Sequence, residues 1–141
     1  TAKRAFDMRK VGWAYIGAVL AFLVLDGLWL GVLMSSTYKE LLGPLMLVQP
    51  KWGPAISFYL LYVAGVVFYV VLPSLARGSA RRAAVSGAFF GLVAYGTYDL
   101  TNWATLQGWS TQLALMDMAW GALLTCLASL SGYWVARKLA I

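Results

Sequence analysis

The sequence predicts an all-α integral membrane protein: a four-helix bundle built from two antiparallel hairpins, with both termini in the cytoplasm. Three observations predict it. The chain of 141 residues is 62% hydrophobic and only 11% charged, where a soluble domain runs nearer half apolar and a quarter charged. Four apolar stretches approach the roughly 20 helical residues that cross a hydrocarbon core. The basic residues fall almost entirely on one side of those stretches. With 11 basic and 5 acidic residues, the chain cannot coat a soluble globule of this size, which argues against a water-soluble enzyme or a DNA-binding domain.

The first span is expected over 11–34, the second over 55–73, the third over 83–105 and the fourth over 113–136. Together they form a single transmembrane domain, 1–141, with no linker or low-complexity segment. The outer loop 35–54 holds Pro44, Pro50 and Pro54. Its apolar middle, 38–48, fits a short broken helix on the membrane surface. Connections 74–82 and 107–112 are short, so spans three and four pair as a tight hairpin. Residues 1–10 are charged and lack the pattern of a secretory signal peptide. A start at Thr1 leaves processing or organellar import open.

Orientation follows from the basic residues. Lys3, Arg4, Arg9 and Lys10 precede span one, Arg77, Arg81 and Arg82 separate spans two and three, and Arg137 and Lys138 follow span four. Lys39 and Lys51 alone lie on the other side. By the positive-inside rule the first group faces the cytoplasm. The formal charge of +6 therefore reads as topology and lipid contact, and no nucleic-acid partner is expected. The setting expected is a bacterial inner membrane, with an organellar inner or thylakoid membrane as the alternative.

Small residues recur at helix-packing spacing: Gly27 and Gly31 in span one, Gly87 and Gly91 in span three. Such pairs let backbones approach closely in lipid. Packing inside the bundle is the reading favoured here over self-association, although a homodimer or neighbouring membrane subunits remain the protein partners to consider beside membrane lipids.

The chemistry lies in the acids. Of five, Asp26, Asp99 and Asp117 fall within spans, and a carboxylate there is a functional-site hypothesis by default. A rise of 1.5 Å per residue puts Asp26 about 22 Å, Asp99 about 24 Å and Asp117 about 28 Å from the inner edge. All three reach the outer third of a core about 30 Å thick. Asp26 and Trp29, like Asp117 and Trp120, share the pattern Asp-x-x-Trp on antiparallel spans, a hint of an inverted repeat. Tyr95, Asp99 and Asn102 form one helical stripe. Asn102, Thr101, Tyr98 and the indoles of Trp29 and Trp120 can donate hydrogen bonds to the acids. The bland alternative is that the Trp residues form an aromatic belt, with each Asp a local structural group.

No Lys or Arg lies inside a span. The acids therefore share a proton, hold a cation or a ligand's amine or hydroxyl, or open to outside water beneath Lys39 or Lys51. There is no histidine, which excludes histidine ligation of haem or chlorophyll. Cys126 is alone and reads as a small apolar helix residue. No nucleophile–base pair is visible, no catalytic residue is assigned, and no metal site is expected.

The words Leu25-Asp26-Gly27-Leu28-Trp29-Leu30-Gly31, Tyr98-Asp99-Leu100-Thr101-Asn102 and Asp117-Met118-Ala119-Trp120-Gly121 resemble the "domain of unknown function 2177" family of predicted bacterial membrane proteins. The likeness runs from span one to span four. It implies a four-span inner-membrane protein in which these Asp, Asn and Trp positions matter, and it brings no reaction or cofactor. The function expected is a binder or carrier of a lipid-like amphiphile, proton or cation. The alternatives are a non-catalytic accessory subunit of a larger bioenergetic or photosynthetic membrane complex and a membrane-embedded lipid-modifying enzyme.

Overall fold

A computed structural model of the protein describes residues 7–140, and these are helical with no strand among them. Helix α1, Met8–Leu28, runs on through a π-helical turn, Trp29–Leu33. The short α2, Ser35–Leu42, ends in a 3₁₀ turn, Gly43–Leu45. Helix α3, Trp52–Val66, passes through a second π-helical turn, Val67–Val71, into α4, Leu72–Ala76. Helices α5, Ala80–Thr105, and α6, Thr111–Leu139, complete the chain. The expected spans lie within these helices to a few residues. The exception is Met34, which has left helical geometry. The connection 35–54 contains the short helix Ser35–Leu42 and the 3₁₀ turn Gly43–Leu45.

The helix starts are written locally. Asp7 accepts a hydrogen bond from the Arg9 N–H at 2.9 Å, Ser79 from Arg82 at 3.0 Å and Ser110 from Leu113 at 3.1 Å. These side chains satisfy amides that have no partner in a first turn. The second π turn precedes Pro73, which lacks an N–H and crowds the carbonyl four residues back. The wider turn makes room for that ring, and the Ser74 hydroxyl takes the Val70 carbonyl at 2.7 Å.

Three helices are long and apolar enough to cross a membrane: Met8–Leu33, Trp52–Ala76 and Thr111–Leu139. The expectation was four. Helix α5 has 26 residues but is not among the three, because Gly87, Gly91, Gly96, Thr97, Asp99, Thr101 and Asn102 dilute its apolar content.

Helix α6 lies at the centre, packed along α1 on one side and α5 on the other, while α1 and α5 scarcely touch. Gly132 of α6 meets Ala14 and Ala18 of α1, and Gly17 of α1 meets Ser131 and Val135. Gly87 meets Ser129, and Gly91 meets Gly121 and Thr125. Gly87 and Gly91 thus pack inside the assembly. Gly27 and Gly31 do not: nothing approaches where their side chains would be. They lie on an exposed face of the α1 end, which corrects the expectation for that pair.

These contacts run α6 antiparallel to both neighbours. Arg9, Lys10, Arg77, Arg81, Arg82, Arg137 and Lys138 consequently gather at one end, and Lys39 and Lys51 lie at the other, exposed. Lys3 and Arg4 lie outside the described residues.

Candidate functional site

The site is built where α1 ends. Asp26 occupies the last helical turn, and the π turn after it closes with the Met34 N–H on the Trp29 carbonyl at 2.8 Å. Met34 then leaves helical geometry (φ −122°, ψ 9°) and α2 starts in a new direction. This reversal brings Tyr38 back over the end of α6, where it is only 7% exposed.

Tyr38 links two helices. Its hydroxyl accepts from the Trp29 indole N–H at 2.9 Å and donates to Asp117 Oδ1 at 2.9 Å. The order is fixed, since an indole N–H can only donate. Burial pushes the Tyr38 hydroxyl above the ordinary tyrosine range, so it stays a neutral donor. Asp26 is held differently: Tyr59 donates to Oδ2 at 2.7 Å and Trp120 to Oδ1 at 3.2 Å. Each Asp-x-x-Trp word therefore serves the opposite helix. Trp120 of α6 reaches Asp26 of α1, and Trp29 of α1 reaches Asp117 of α6 through Tyr38. The two indoles stack between them, centroids 4.3 Å apart and 4° from parallel.

Asp99 completes the cluster and differs in kind. It is 0% exposed, it faces the Asp117 carboxyl within hydrogen-bonding reach, and no N–H or O–H donor among the described residues reaches either of its oxygens. No ion pair forms among the described residues, and Lys39 and Lys51 stay exposed rather than covering the acids. Two touching carboxyl groups repel when both are charged in a low-dielectric site. One proton or one cation between them removes that repulsion.

Asp26, Asp99, Asp117, Trp29 and Trp120 are thus brought together, as a satisfied acid beside a pair in which Asp117 takes the Tyr38 donor and Asp99 takes none. The described residues contain no group of three His, Cys, Asp or Glu arranged to hold a metal ion. Asn102 is half-buried and its side chain makes no hydrogen bond there. Thr101 is exposed and bonds the Thr97 carbonyl of its own helix. Tyr98 is exposed and turns its ring to the edge of Trp109, centroids 5.5 Å apart. Neither Thr101 nor Tyr98 donates to an acid. Tyr38 and Tyr59 are the functional residues that sequence reasoning missed. Nothing local in the sequence marked either of them.

Asp26 yields a stability prediction. Tyr59→Phe removes one hydrogen bond and is expected to cost about 1 kcal/mol. Asp26→Leu strands the Tyr59 O–H and the Trp120 N–H together, at about 1–3 kcal/mol each. Detergent unfolding midpoints should fall in that order. Equal midpoints for the two variants would show that Asp26 does not hold both donors.

The fold and site define an all-helical, predicted membrane protein with a buried polar cluster at one end of its apolar helices. The chain belongs to the family described as "Predicted membrane protein (DUF2177)", whose model matches residues 11–134. No curated protein and no solved structure matches it.

Proposed function

We propose that this chain is a four-span inner-membrane protein of bacterial type that binds, and passes on, a proton or a cationic group at the Asp99–Asp117 pair. The cationic group is a free cation or the ammonium of an amphiphile. The observation that carries this reading is Asp99, fully buried with neither oxygen taking a donor. A buried polar group without a partner is costly, and a proton or a cation between two facing acids relieves both that cost and their repulsion. Tyr38 bonds the pair at Asp117, and the stacked Trp29 and Trp120 next to it supply an aromatic surface on which an amphiphile's chain would rest.

The four-span reading rests on α5. At about 39 Å by helical rise it is long enough to cross, and it packs along α6. Its polar face is turned partly inward, where Asp99 and the glycines meet α6. The whole chain, 1–141, is then one bundle with both termini on the basic side. A reporter enzyme active only outside the cytoplasm, fused after Ile141, should remain silent. Strong activity would reverse the orientation and place the acid pair at the inner leaflet.

The binding reading is tested by infrared difference spectroscopy of the reconstituted protein across roughly pH 4 to 10. Expected is a protonated-carboxyl band that titrates, or that sodium, calcium or an alkylammonium ion displaces. A flat spectrum under all of these conditions would end the proposal.

A further inference from the structure

A different feature lies in the half of the molecule nearer the arginines. A groove of about 460 Å³ runs between the π turn of α3 and helix α5, lined by Tyr69, Val70, Val85, Ser86, Phe89, Phe90 and Val93. Its size falls among ligand pockets, roughly 300–1,000 Å³. Val70 and the half-buried Phe90 form its floor, while Tyr69, Val85, Phe89 and Val93 stand more than half exposed along it.

The two walls are joined through α4 and a short turn; Arg77 lies in that turn, and Arg81 and Arg82 lie in the first turn of α5. Arg82 precedes Ser86 by four residues and Phe89 by seven, so it shares their helix face. It is half-buried, and its Nε is covered with no acceptor among the described residues. The remaining donors of a guanidinium fork suit a phosphate. From Arg82 to Val93 the helix rises about 16 Å, which is one leaflet's share of a core about 30 Å thick.

We infer that this groove binds one anionic phospholipid, its phosphate at Arg82 with Arg77 and Arg81 nearby, and one acyl chain along Val85, Phe89 and Val93. An ordinary lipid-facing surface is apolar along its length. Here a concave apolar track of leaflet length ends at a guanidinium lacking an acceptor, and that pairing selects an anionic amphiphile over a zwitterionic one. The groove is separate from the Asp99–Asp117 pair and stands or falls without it.

The test is native mass spectrometry of the full-length protein, purified in mild detergent and exposed to an equimolar mixture of phosphatidylglycerol and phosphatidylcholine. Expected is one retained phosphatidylglycerol per chain. Arg82→Gln should reduce its excess over phosphatidylcholine by about fivefold, and Lys138→Gln should leave it unchanged. Val85→Trp fills the groove while keeping every charge, and should release the lipid too; it carries the test if Arg82→Gln fails to fold. Millimolar inorganic phosphate should not displace the lipid. Wild type without a preference for phosphatidylglycerol, equal losses in Arg82→Gln and Lys138→Gln, or retention in Val85→Trp would overturn the inference.

Discussion

Asp99→Asn is expected to leave the protein folded while erasing the proton- or cation-dependent response of the acid pair. The amide has the shape of a protonated carboxyl, and its N–H₂ can donate to Asp117 as a carboxyl O–H would. The variant is therefore locked in the relieved state, and its unfolding midpoint should equal or exceed that of the wild type. What it loses is the ability to release that proton or exchange it for a cation. The titrating carboxyl band should vanish, and affinity for a displacing cation should fall by about tenfold to a hundredfold. Asp26→Asn offers the contrast. Asp26 already has a donor on each oxygen, so its amide variant should weaken the fold and leave the titrating band in place. Should Asp99→Asn keep the band and the cation response, the pair is not the binding site.

The second large effect is mechanical. Gly91→Ala should loosen α5 from α6, because a Cβ at that position runs into the Gly121 carbonyl oxygen and the Thr125 side chain. A backbone oxygen inside a helix cannot step aside as a flexible side-chain end can. Overpacking of this kind costs typically about 1–3 kcal/mol, and here the strain passes directly to the helix that carries Asp117 and Trp120. Gly27→Ala, with nothing within reach of its new methyl, should unfold at the wild-type midpoint. Comparison of the two in a detergent unfolding series checks the prediction; equal midpoints would mean that α5 and α6 do not approach as described.

How far the sequence announced these features depended on their chemistry. A carboxylate stands out in an apolar helix, so Asp26, Asp99 and Asp117 were visible as a group. Trp29 and Trp120 were visible through their repeated spacing to those acids, though nothing in the spacing said that each indole would serve the other helix. Tyr38 was hidden because its place depends on a chain reversal after the π turn, and such a turn leaves no periodic trace. Tyr59 was hidden because a tyrosine in a span looks the same whether it faces lipid or an acid. Thr101 and Tyr98 were drawn into the site by adjacency to Asp99. Each residue turns about 100° around a helix, so near neighbours in sequence point to different sides. The glycines show the same limit. Spacing identified two close-packing pairs, and only the three-dimensional arrangement separates Gly87 and Gly91, pressed against α6, from Gly27 and Gly31 on an exposed face.

The central position of α6 also bears on how the molecule is made. Helices α1 and α5 scarcely touch each other, and each finds its main partner in α6, which follows both of them in the chain. Until it arrives, Gly17, Gly87 and Gly91 have no surface to pack on, and the carboxyl groups of Asp26 and Asp99 wait in or beside the bilayer without Trp120 and Asp117. The two main helix pairings thus wait for α6, in contrast to the usual order in which earlier parts of a chain fold first. A chain stopped before Thr111 can still make the contacts between α1 and α3, Tyr59 on Asp26 among them, but it lacks both of the extensive helix pairings. Such a fragment, once α5 is made, carries Asp99 without Asp117 beside it, an acid in a helix that has not yet found its partner.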